Sequence, residues 1–78
     1  MQRQISTEQA NAILDAVMHR LKVRNDRQLS SELGVKPPVI SKLRNGHQTM
    51  GPAVLVRMME VSDISLRELV ASAVMTRD

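Results

Sequence analysis

The residues of this chain best suited to chemistry are cations. Arg20, Lys22, Arg24, Arg27, Lys36, Lys42 and Arg44 crowd the stretch between Arg20 and His47, opposed there only by Asp26 and Glu32. That stretch carries +5 and the remainder −2, giving the net charge of +3. A basic middle between mildly acidic ends is the charge pattern of a face that meets a polyanion. The plainer alternative is a solvated basic surface with no partner.

Other chemistries lack their residues. The chain has no Cys, so a disulfide scaffold, an iron–sulfur cluster and a thiolate zinc site are ruled out. His19 and His47 are the only histidines and no carboxylate cluster accompanies them, so no metal site is expected. No Gly-rich phosphate loop, nucleophile elbow or His–Glu pair at helical spacing occurs. No catalytic residue and no cofactor are expected, and the chain does not read as an enzyme. The absence of Phe, Trp and Tyr argues against modules that stack bases on aromatic rings. No apolar run approaches the roughly 18 residues of a membrane span. The start, Met1 to Ser6, lacks an apolar signal core, so a cytoplasmic location away from membranes is expected.

The elements that must position these cations are helices. With 78 residues the chain has room for one domain and one small core. Ser6 followed by Gln9 is a capping-box pattern, and Ala10, Ile13, Leu14, Val17, Met18 and Leu21 form one apolar stripe. They predict a helix over about Thr7–Lys22, with Arg20, Lys22 and Arg24 at its C-terminal end, where the helix dipole also favours them. Asn25 or Asp26 caps a second helix with Leu29 and Leu33 on its buried edge, and Gly34 stops it. Val35-Lys36-Pro37-Pro38 opens a third, proline being tolerated in a first turn, and Asn45-Gly46 ends it. Gly51-Pro52 starts a fourth, striped by Val54, Leu55, Met58 and Met59 and broken at Ser62-Asp63. Ser65 and Glu68 form a second capping box, with Ile64 ahead as a hydrophobic staple. The expected fold is therefore all-α, with five short helices and tails at residues 1–6 and 75–78.

Between Asp26 and Gly46 a short helix, a Gly-containing turn and a second short helix follow one another. Leu29, Leu33, Val35, Ile40 and Leu43 fall where two steeply crossing helices share a core, and Ser30 is small enough for close approach. This matches a helix-turn-helix at about residues 26–45, whose second helix enters the DNA major groove.

The run Leu29-Ser30-Ser31-Glu32-Leu33-Gly34-Val35, then Ile40-Ser41 and Leu43-Arg44-Asn45-Gly46, resembles the phage-repressor-like helix-turn-helix family of Cro and lambda-type repressors (XRE type). Residues 51–69 are similar to that family's closing helices, so the resemblance covers roughly residues 10–70. It implies a compact five-helix lambda-repressor-like domain, sequence-specific binding of double-stranded DNA, and usually a homodimer on a palindromic operator. Base-reaching positions of the family fall on Pro37, Pro38, Ser41 and Lys42. Lys36 and Arg44 flank them as phosphate partners, and Arg27 and Gln28 stand beside a position where the family often has a phosphate-donating Gln. Here that position is Asp26, which accepts only and repels phosphate. Asn45 and His47, with Gln48 and Thr49, can bring side chains or backbone N–H groups to phosphate. Lys36 stands where Ser or Thr usually caps, and the two prolines replace polar readers with rings that can touch thymine methyls.

On the fifth helix, Leu66, Leu69 and Val70 are expected to close the core, with Val74 and Met75 left over. A homodimer through this helix, using Leu66, Leu69, Val70, Ala73 and Val74, is the expected assembly. The function expected is a repressor-like transcriptional regulator. The alternative is a protein-binding adaptor or antitoxin-type module on the same helical fold.

Overall fold

The computed structural model describes residues 5–74. In order it holds α1 (Thr7–Leu21), α2 (Asp26–Leu33), α3 (Pro37–Asn45), α4 (Pro52–Ser62) and α5 (Leu66–Val74). Among the described residues there is no strand, so the all-α expectation holds. No helix there is long and apolar enough to cross a membrane.

Local chemistry sets each boundary. The Ser6 hydroxyl accepts from the Gln9 N–H, and the Gln9 side chain accepts from the Ser6 N–H, closing the expected capping box. Ser6 is thus a cap rather than part of a tail, and Ile5 packs half-buried against the core. Residues 1–4 and 75–78 of the expected tails lie outside the described residues. Asn25, not Asp26, caps α2 by accepting from the Gln28 N–H at 2.8 Å. At the end of α2, Gly34 takes the left-handed conformation (φ +71°) and the N–H of Val35 turns back to the Ser30 carbonyl. Lys22 makes the same turn after α1 at φ +60°, a conformation that costs a residue with a Cβ about 1 kcal/mol or more. The second capping box is present too: Ser65 and Glu68 exchange backbone-to-side-chain bonds at 3.3 and 3.2 Å.

The core gathers side chains from every helix, four of them (Ala10, Ile13, Leu14 and Val17) from α1. Leu14 and Val17 of α1 meet Leu29 and Leu33 of α2, Ile40 and Leu43 of α3, Met58 of α4 and Leu69 of α5, all essentially inaccessible. Met50, in the loop before α4, and Ile64, before α5, complete it. Each such aliphatic side chain stabilises the fold by about 1.5–3 kcal/mol through its removal from water. The first helix is the central strut, packing against α3, α4 and α5, while α2 packs on α3 and α4. Ser30 is buried as expected and gives its hydroxyl proton to the Arg27 carbonyl, so no polar atom is stranded between α2 and α3.

The fifth helix departs from expectation. Leu66 and Val70 are 55% and 52% exposed, so they do not close the core. Leu69 does, at 1% exposure, and is therefore not available to a dimer face. The apolar arc of α5 is broader than the strip α1 covers, and the core takes only its Leu69 flank. The side chains of Ala73 and Val74 lie outside the described residues.

Candidate nucleic-acid interface

The third helix owes its orientation to two side chains. Ile40 and Leu43 point into the core with no exposure, which turns the opposite side outward. That side carries Pro37, Pro38, Ser41, Lys42 and Asn45, all exposed. Their spacing of one turn, and then another, aligns them in a single strip along the helix. The helix begins after Lys36, whose backbone is extended and whose side chain makes no capping bond. It ends at Gly46, where φ is +77° and a Cβ would sit 2.6 Å from the Thr7 hydroxyl. Only glycine allows both the left-handed turn and this close approach to α1. The N–H of His47 returns to the Lys42 carbonyl at 2.9 Å and closes the turn.

Arg44 does not join the outward strip. Its guanidinium donates to both carboxylate oxygens of Asp26, pairs with Asp15 at 2.9 Å, and donates to the Asn11 side-chain oxygen at 2.7 Å. It also touches the Met18 sulfur at 3.2 Å. Burial of the guanidinium opposes its charge, but the hydrogen bonds and attraction of Asp26 and Asp15 outweigh this and raise its pKa above the ordinary arginine value. The Asn11 amide then donates to the Arg44 carbonyl at 3.0 Å, satisfying a C-terminal backbone group of α3. Arg44, expected as a phosphate partner, is instead an internal clamp that holds the end of α3 to α1 and the start of α2. Asp26 has its role here as well: the acid that would repel phosphate faces Arg44. Asn11 and Asp15 of α1 complete the site. Their only sequence signal is a four-residue spacing that puts both on one face of α1.

The remaining candidates lie at the surface. Arg27, Gln28, Lys36 and His47 are exposed. Gln28 uses its side-chain oxygen to accept from the Arg24 N–H at 2.7 Å, and its amide nitrogen is the donor end of the side chain. Asn45 reaches Ser41 at 3.4 Å, a long contact that leaves both hydroxyl and amide at the surface. Gln48 and Thr49 line a shallow depression of about 280 Å³ with Ile5, Ser6, Thr7 and Gly46. Arg20 binds Glu68 at 3.4 Å and the Asp63 carbonyl at 3.3 Å, tying α1 to the start of α5. Glu68 is held below the ordinary carboxylate range, first by the Ser65 backbone N–H and then by Arg20. Of the seven cations in the basic stretch, Arg20 and Arg44 are thus neutralised internally. Lys22, Arg24, Arg27, Lys36 and Lys42 have no ion pair among the described residues. No group of three or more His, Asp or Glu among the described residues is arranged to hold a metal ion.

Compared with known proteins, the chain matches no family model, no curated protein and no solved structure.

Proposed function

We propose that this chain is a sequence-specific, double-stranded DNA-binding regulator of the phage-repressor-like type, with α3 as the helix that enters the major groove. The observation that carries this reading is the outward strip of α3, anchored from behind by Ile40, Leu43 and the Arg44 clamp. A rigid helix of this width fits the major groove, where base edges are distinguishable. Lys36 and Lys42, with Arg27 on the preceding helix, supply cations that no acid among the described residues pairs with. Lys42 is the residue expected to reach guanine O6 or N7. Ser41 and Asn45 are its polar neighbours, Gln28 and His47 phosphate donors.

The domain measures 33 × 25 × 22 Å. One copy covers about one turn of duplex, so reading two half-sites about 34 Å apart calls for a dimer. The exposed Leu66 and Val70 support a homodimer through α5. The same apolar pair favours the second reading, a protein-binding adaptor or antitoxin-type module. A selection of duplexes from a random pool, followed by a salt titration, separates the two. A regulator yields a palindromic consensus and an affinity that falls steeply with salt as phosphate counterions are displaced. An adaptor selects no duplex.

A further inference from the structure

We propose that Pro37 and Pro38 make the start of α3 a reader of thymine methyl groups, so that the preferred duplex carries thymines opposite this end of the helix. The proposal rests on the DNA-binding reading above and adds the base class that the strip selects. Both prolines are exposed, at the first two positions of α3. Neither has a backbone N–H. The third N–H, of Val39, is already bonded to the Lys36 carbonyl at 2.9 Å, and the Lys36 side chain makes no cap. The opening turn thus offers no free backbone donor at its first three positions, which is where a recognition helix would otherwise donate to phosphate or a base acceptor.

What it offers is ring carbon. On the major-groove edge of the four base pairs, the thymine C5-methyl is the one methyl and the largest apolar group; the guanine and adenine edges present donors and acceptors. A proline ring set against guanine N7 and O6, or against the adenine amino group, strips water from a polar atom and returns no partner. Set against thymine, it buries a methyl. The bland reason for proline at a helix start, that its N–H is not needed there, accounts for the backbone but not for two rings on the outward strip. One turn further lie Ser41 and Lys42, and a turn beyond them Asn45, all polar. At about 1.5 Å per residue the strip from Pro37 to Asn45 spans about 12 Å, or three to four base pairs at about 3.4 Å each. The readout is therefore graded, with methyl recognition at one end and hydrogen bonding at the other.

The test uses the full chain and duplexes selected from a random pool. Each consensus thymine is replaced in turn by deoxyuridine, which removes only the methyl, and Kd is measured. The expected result is a loss of about fourfold for each methyl in contact, on one or two neighbouring positions per half-site and nowhere else. In Pro38→Gln, checked for unchanged helix content, the penalty at the contacted position disappears and adenine is gained there. Unchanged affinity for every uracil duplex overturns the methyl reading and leaves DNA binding standing. An equal uracil penalty in a folded double variant, Pro37→Ala with Pro38→Gln, also overturns it, by assigning the effect to the duplex itself. Failure to select any duplex overturns both proposals.

Discussion

Replacing Arg44 with Met removes the guanidinium while keeping much of the side chain's volume, and so isolates the clamp. The cost follows from exposure. Fully exposed ion pairs contribute about 0.2–1 kcal/mol, whereas breaking a buried pair costs about 3–5 kcal/mol. The Arg44 side chain is 20% exposed, Asp26 45% and Asp15 67%. The Asp26 pair, with three bonds in the more sheltered position, therefore outweighs the Asp15 pair, and Arg44→Met falls between the limits at about 2–3 kcal/mol. For a chain of 78 residues that is a drop in Tm of about 8–24 °C. Urea denaturation of Arg44→Met, Asp26→Asn and the double variant gives the coupling energy directly, expected at about 1 kcal/mol or more. The DNA measurement then separates clamp from contact. A side chain that touches a phosphate takes about one unit from the slope of log affinity against log salt when removed. Arg44→Met, measured where it is fully folded, is expected to keep the wild-type slope. A stability loss below about 0.5 kcal/mol, a coupling near zero, or a slope reduced by one unit would refute the clamp.

Gly46→Ala must hold a left-handed conformation with its Cβ against the Thr7 hydroxyl, and is expected to cost about 1–2 kcal/mol in denaturant unfolding; a neutral outcome would mean that α3 does not end as described. Lys42→Ala is expected to weaken a selected operator by about 1–3 kcal/mol and to narrow its preference over nonspecific duplex; an unchanged ratio assigns the side chain to phosphate. Leu66→Glu with Val70→Glu alters two exposed side chains, so sedimentation is expected to show a monomer with native helix content, and unaltered sedimentation would exclude this face as the dimer contact. Because the Glu68 carboxyl is lowered in the folded state, it stabilises the fold above the ordinary carboxylate range and loses that contribution as pH falls through its own lowered pKa. Glu68→Gln is accordingly expected to melt earlier than the native chain at neutral pH and together with it in strong acid. A constant difference across that range would show that the charge is not responsible.

Short-range signals carried most of the fold. Ser6 with Gln9, Ser65 with Glu68, and the paired prolines each act on backbone within one turn, so the helix starts could be located from neighbours alone. Gly34 and Gly46 mark two helix ends for the same reason. Local sequence does not choose between Asn25 and Asp26, because either residue type can cap, and the choice falls to the backbone. The clamp was out of reach. A running charge count credits Arg44 and Arg20 to the basic stretch, but folding brings them Asp15 and Glu68 from outside it, across contacts that no local spacing encodes. Helix 5 was ambiguous for a different reason: Leu66, Leu69 and Val70 lie on one broad arc, and only the shape of α1 decides which flank is covered. Met50 lies in a loop with no periodic neighbours, so nothing in the local pattern marks it as core.

The central claim, that the outer strip of α3 is the surface that meets duplex DNA, is tested most directly by following backbone amide resonances as a selected duplex is added. Shifts are expected at Lys36, Val39, Ser41, Lys42 and Asn45, with Arg27, Gln28 and His47 at the margins, while the inner residues of α1 stay in place. Shifts confined to Leu66, Val70 and their neighbours, with α3 unmoved, would contradict it.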